Sequence, residues 1–110
     1  MLNCKISCID LKECKMTKLG IEYRGNLTST KTGVTCQAWD TQFPHDPSPW
    51  AKDVQNYPDD SIVEAGNKCR NPDREPEGPW CYTTNPEIRW EYCDIPMCAG
   101  NVIFIRQYAT

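Results

Sequence analysis

The chain has 110 residues and carries 12 basic against 15 acidic side chains, a formal net charge of −3 at pH 7. That length favours a single domain, and the two signs are mixed along the chain, leaving no basic stripe of the kind that binds nucleic acid. Hydrophobic residues make up 39%, with 4 Trp and 5 Tyr beside few aliphatics, and no apolar run approaches the ~20 residues that span a bilayer.

So small a supply of aliphatics builds only a modest core, and a chain of this size then needs other constraints. The 8 cysteines supply them. An even cysteine count in a short chain fits a disulfide framework and an oxidising, secreted setting. A zinc domain would need close-set pairs such as C-x2-C. Here the close pairs are Cys4/Cys8 and Cys93/Cys98, and the lone histidine, His45, is far from both; no metal or cofactor is expected. No signal peptide is legible, and Met1-Leu2-Asn3-Cys4 suggests a piece of a longer secreted protein. Asn26-Leu27-Thr28 is an N-glycosylation sequon.

In chain order, residues 1–13 form a leader in which Cys4 and Cys8 either close a small local loop or pair elsewhere. Residues 14–98 are bounded by cysteines and dense in turn signals. Residues 31–39 predict a short strand after a glycine turn, and residues 43–50, with Pro44, Pro47 and Pro49, a loop. Residues 58–68 read as an acidic loop anchored only by Ile62 and Val63. The stretch from Cys69 to Cys81 contains Asn71-Pro72, Glu75-Pro76 and Gly78-Pro79, which exclude helix and a central strand. Residues 80–84 and 88–93 predict two short strands around Asn85-Pro86, and residues 101–108 a strand-like apolar tail beyond the cysteine frame, within 99–110. No stretch of the frame shows a sustained helical period. The fold class expected is small, disulfide-rich and mostly irregular, with short antiparallel β-strands and little or no helix.

The six cysteines Cys14, Cys36, Cys69, Cys81, Cys93 and Cys98 are spaced 22, 33, 12, 12 and 5. Between them lie Tyr23-Arg24-Gly25, Cys36-Gln37-Ala38-Trp39, Pro44-His45, Cys69-Arg70-Asn71-Pro72-Asp73, Gly78-Pro79-Trp80-Cys81-Tyr82 and Arg89-Trp90-Glu91-Tyr92-Cys93. This combination over residues 14–98 closely resembles a kringle domain, and is most similar to the lysine-binding kringles of plasminogen. The resemblance implies the pairing Cys14–Cys98, Cys36–Cys81 and Cys69–Cys93, which spacing alone leaves open among 15 possibilities. Tyr23, Trp39 and one of Ile62 or Val63 are the expected core, and His45 a buried structural hydrogen-bonder. Several features depart from the family's pattern. The segment from Cys36 to Cys69 is longer by a few residues and contains Trp50; Lys68 replaces an aromatic; and the region that often presents a cation has Asp46 and Ser48, with Lys52 the nearest base.

The resemblance implies a groove for lysine. A free lysine is a zwitterion on an apolar stem, and needs an anionic end, an apolar floor and a cationic end. Asp73 and Glu75, at i and i+2 of an extended segment, would share one side of the chain and accept charge-assisted bonds from the ammonium. Trp80 and Trp90 would flank the stem, their indole faces adding cation–π attraction, with Tyr82 completing the wall. Arg89 would meet the ligand carboxylate. The thin supply of cations at that end favours an internal lysine of a partner protein over a free zwitterion. The partners expected are therefore lysine-bearing proteins or small lysine analogues, met by a monomeric module of a larger extracellular protein. A competing reading is a kringle without lysine affinity, serving as a spacer or docking on other faces such as that of Trp50. An enzyme is not indicated: there is no nucleophile elbow, and cysteines held in disulfides are not nucleophiles.

Overall fold

The computed structural model describes residues 13–98. The leader cysteines Cys4 and Cys8 and the strand expected at 101–108 lie outside the described residues. Three disulfides organise the rest: Cys14–Cys98, Cys36–Cys81 and Cys69–Cys93. The first encloses the other two, which cross each other. Their sulfurs meet at the centre, with Cys36 Sγ 3.9 Å from Cys69 Sγ. All four inner sulfurs lie within 4.8 Å of one another, a density that resembles a metal site. Each is already spent in a disulfide, so none is a thiolate able to hold a cation.

Regular structure is sparse. Strands β1 (Trp80–Tyr82) and β2 (Trp90–Tyr92) pair antiparallel, with Trp80 opposite Tyr92 and Tyr82 opposite Trp90. Isolated bridges extend this ribbon: Arg70 to Trp80 on one side and Cys36 to Thr83 on the other. The strand expected over 31–39 contracts to single bridges at Thr35 and Cys36, because the tight turn at Thr30–Val34 occupies its start. The stretch 58–68 is not wholly loop. Ser61 caps a single helical turn, α1 (Ile62–Ala65), by accepting from Glu64 N, and Gly66 ends it in a positive-φ conformation. This turn buries Ala65 and leaves Val63 exposed, so Ile62 is the member of that pair packed on the core. Ahead of it, two 3-10 turns, Trp50–Lys52 and Val54–Asn56, shape the segment that follows the proline-rich loop.

The core is aromatic rather than aliphatic. Trp39 is 2% exposed and meets Tyr57, Trp80 and Tyr82 edge to face at 5.1–5.7 Å between centroids, the arrangement that ring quadrupoles favour. Tyr23 is buried in the same cluster. Gly25 lets it in: a Cβ there would lie 2.2 Å from the Tyr23 hydroxyl. His45 is buried, its Nε2 3.0 Å from Asn85 O, while Gln37 clasps its backbone through Oε1 and Nε2.

Arg70 is also buried, and charged. Its guanidinium donates twice to Asp59, at 2.8 and 3.0 Å, and further to the carbonyls of Gly25 and Cys69. It also sits 5.6 Å from the Tyr23 ring centroid. This pair ties the segment after the 3-10 turns to the centre of the disulfide frame.

Candidate functional site

Antiparallel pairing and the two-residue period of strands put Trp80, Tyr82, Trp90 and Tyr92 on one face of the β1–β2 ribbon. Neighbouring rings stand at 4.9–5.5 Å and near-perpendicular: Trp80–Tyr82, Trp80–Trp90 and Trp90–Tyr92. Their exposures differ sharply. Trp80 and Tyr82 are 2% and 3% exposed, whereas Trp90 is 37% exposed. Trp80 and Tyr82 therefore lie beneath the surface, held by Trp39, and Trp90 is the indole with a face open to a ligand. Tyr82 is fixed further by its hydroxyl, which accepts from Ser48 N at 2.9 Å.

The loop from Cys69 to Cys81 brings the acids to this face. Asn71 organises it and is itself buried. Its Oδ1 accepts from Glu75 N (2.7 Å) and Trp80 Nε1 (3.1 Å), and its Nδ2 donates to Glu75 O and Leu19 O. Asp73 Oδ1 takes a second bond from Trp80 Nε1 at 2.9 Å. The segment is not extended, as i, i+2 alternation would require. Arg74 has φ +59°, a left-handed conformation in which a bulky residue is uncommon. The acids are brought together by that turn. Burial, then a hydrogen bond and the charge of Asp73, raise the Glu75 carboxyl above its ordinary value, and the Tyr92 hydroxyl, 3.5 Å from Oε1, partly opposes this. Two carboxyls thus lie together beside Trp80 and Tyr92.

Tyr92 is absent from the sequence-based site. Strand periodicity signals it, since it lies two residues past Trp90. Asn71 is likewise missed as an organiser, although Asn-Pro is a turn signal. Arg89 lies at the other end. Its guanidinium carbon is 5.0 Å from the Tyr82 ring centroid and its Nη2 donates to Asp46 O at 2.8 Å. Asp46 in turn pairs with Lys52 at 3.3 Å on the surface. Glu77 is exposed and pairs loosely with Lys18 at 3.9 Å. Asn26, in the sequon, is exposed, and its Nδ2 donates to Glu13 Oε2.

The arrangement is that of a binding module: a rigid aromatic face, a carboxyl pair at one end and a guanidinium at the other. Comparison with known proteins agrees. The family model for the kringle domain matches residues 14–98. A human protein described as apolipoprotein(a)-like protein 2 is 45% identical over 91 residues, which cover 83% of this chain and 64% of that relative. The chain belongs to the kringle family. Kringle domains are non-catalytic binding modules, commonly protein-binding and typical of extracellular proteins. No helix among the described residues is long and apolar enough to cross a membrane.

Proposed function

We propose that this kringle is a secreted module that takes lysine side chains, in partner proteins or as small analogues, at Asp73 and Glu75. The observation that carries the reading is the carboxyl pair held at the aromatic face, Asp73 by the Trp80 indole and Glu75 beside the Tyr92 hydroxyl, with Trp90 the most exposed ring of that face. An ammonium bound there donates charge-assisted bonds to both acids, and the lysine stem lies along Trp90 with Tyr92 beside it. Trp80 and Tyr82 act from below, fixing Asp73 and stacking under Arg89. Arg89 offers its remaining donors to a carboxylate. An internal lysine is the better fit than a free zwitterion, because Arg89 already serves Asp46 O and Lys52 is already paired with Asp46. The exposed Asn26 would carry a glycan in the same extracellular setting, once released from Glu13.

Tryptophan fluorescence followed during titration with 6-aminohexanoic acid tests the reading, since Trp90 and Trp80 border the site. A saturable change is expected. A flat response to about 10 mM, where binding free energy is only about −3 kcal/mol, would leave the spacer or docking reading in its place.

A further inference from the structure

The backbone of Arg74 forms the turn that brings the two acids together, but its side chain has no role in the site as described, and its setting gives it one. It is exposed and is the only non-glycine residue with positive φ among the described residues. It lines a cleft of about 180 Å³ with Trp50, Asn56, Pro72 and Asp73. It also lines a second cleft of about 280 Å³, which shares Asn56 and Pro72 with the first and extends to Glu22 and Tyr57. The two therefore abut around its side chain.

Arg74 is the one cation lining this trough, beside the carboxylates of Asp73 and Glu22. Among the described residues the ion pairs are Lys18–Glu77, Lys52–Asp46 and Arg70–Asp59, so Arg74 is in none. Neither acid lies within 4.0 Å of the Arg74 guanidinium, and each is held by other donors. Asp73 Oδ1 accepts from Trp80, and the Glu22 carboxylate accepts from Met16 N, Thr17 N and Thr17 Oγ1. A planar guanidinium with a free fork of donors matches a carboxylate.

Trp50, on a backbone held in place, also lines the cleft. Trp50 is 63% exposed, yet its backbone is fixed, with its carbonyl accepting from Asn56 Nδ2 and Asp53 N. The next residue, Ala51, is fully buried and accepts from the Tyr57 hydroxyl. An exposed tryptophan on a fixed backbone, beside an arginine in no ion pair, is the make-up of an interface anchor.

We infer that the cleft between Trp50 and Arg74 is a second subsite, which takes an aspartate or glutamate side chain close in sequence to the bound lysine of the partner. The inference rests on the lysine reading of Asp73 and Glu75. Asp73 borders both places: its carboxyl serves the ammonium, and it lines the cleft with Trp50 and Arg74. A peptide whose lysine is seated there passes its neighbours over the cleft. A free lysine analogue, whose own carboxylate lies at the Arg89 end, does not reach it.

The test uses the intact chain and a set of end-blocked peptides. Each contains one lysine and one glutamate, placed one to four residues to either side, and each has a glutamine counterpart. Affinities from titration calorimetry are compared for wild type, Arg74→Gln and Trp50→Ala, with 6-aminohexanoic acid run in parallel. At least one placement should favour glutamate roughly three- to tenfold at low salt. Arg74→Gln should erase that preference, and Trp50→Ala should weaken both peptides of the pair. Trp50→Ala should leave affinity for 6-aminohexanoic acid unchanged, whereas Arg74→Gln, in the turn between the two acids, should change it by the same factor as for the glutamine peptides; saturable binding reports that each variant remains folded. No preference at any placement, or a preference that survives Arg74→Gln, overturns the inference while leaving the lysine site standing. Failure of wild type to bind 6-aminohexanoic acid or any of the peptides overturns both. Equal affinity for inorganic sulfate and the glutamate peptides, lost together in Arg74→Gln, would mark a general anion site and also overturn it.

Discussion

Trp80 donates its indole N–H to Asp73 at 2.9 Å, so the buried floor of the aromatic face fixes the carboxyl that the proposed ligand needs. The same N–H reaches Asn71 Oδ1 at 3.1 Å. Asparagine at position 73 keeps an oxygen for Trp80 but loses the charge. Asp73→Asn is therefore expected to abolish retention on immobilised lysine while leaving the thermal midpoint unchanged. Asp73→Ala removes the acceptor too and should cost only about 0.5–1.5 kcal/mol, because Asn71 continues to satisfy the indole. Retention by Asp73→Asn would refute the proposed anionic end.

Glu75 gives the site a pH dependence. Its carboxyl is raised above the ordinary 4.5, first by burial and then by Asp73. The folded chain thus holds this proton at pH values where the unfolded chain has released it. The resulting stability is complete below 4.5 and is lost as pH rises through the raised value. Binding runs the opposite way, since an ammonium needs the carboxylate. Affinity should fall as pH drops through the raised value, earlier than an unperturbed glutamate would allow, and binding in that window should release protons. Calorimetry of 6-aminohexanoic acid binding in two buffers of different ionisation enthalpy measures the release. Glu75→Gln should diminish it; equal release from that variant would assign the titration to another group.

The strands and the aromatic face were readable because they follow from local chemistry. Trp80-Cys81-Tyr82 and Trp90-Glu91-Tyr92 are strong strand formers flanking a proline turn. The site's fine geometry was not, because it depends on conformations no periodicity encodes. Arg74 adopts left-handed backbone while Asn71, before it, accepts from Glu75 N and Trp80 Nε1, after it, so the two acids meet through a turn and not through the i and i+2 alternation of an extended chain. The depth of Trp80 and Tyr82 depends on Trp39 packing from a distant segment. The helical turn at Ile62–Ala65 is too short to show a period.

At the opposite end, Arg89 is positioned by the Tyr82 ring and Asp46 O, and it is solvent-exposed. An exposed pair of this kind contributes about 0.2–1 kcal/mol. The preference for 6-aminohexanoic acid over an amine of equal length without the carboxylate should therefore be about two- to fivefold, and Arg89→Ala should remove it. Parallel fluorescence titrations of the two ligands make the measurement. A preference near a hundredfold would show a strong cationic end and overturn the expectation that internal lysines are the natural ligand.

The Arg70–Asp59 pair carries the largest expected effect on stability. Both side chains are nearly inaccessible, at 1% and 7% exposed, and they meet through two parallel bonds. Removing one partner strands a buried charge, which costs about 3–5 kcal/mol, a large share of the 5–15 kcal/mol typical of a domain. Asp59→Asn with all disulfides intact should lower the urea midpoint accordingly. Arg70 would still reach Gly25 O and Cys69 O, so the fold should persist with its frame intact. Asp59 closes the segment that also presents Trp50, so the loss of this pair should loosen that segment first. Native-state hydrogen exchange would then show lost protection at Asn56 and Tyr57 N–H, which bond within the 3-10 turns, before any loss at Trp80 N–H in the ribbon. Uniform loss at both places, or a cost below about 1 kcal/mol, would mean that the disulfides rather than this ion pair hold the segment in place.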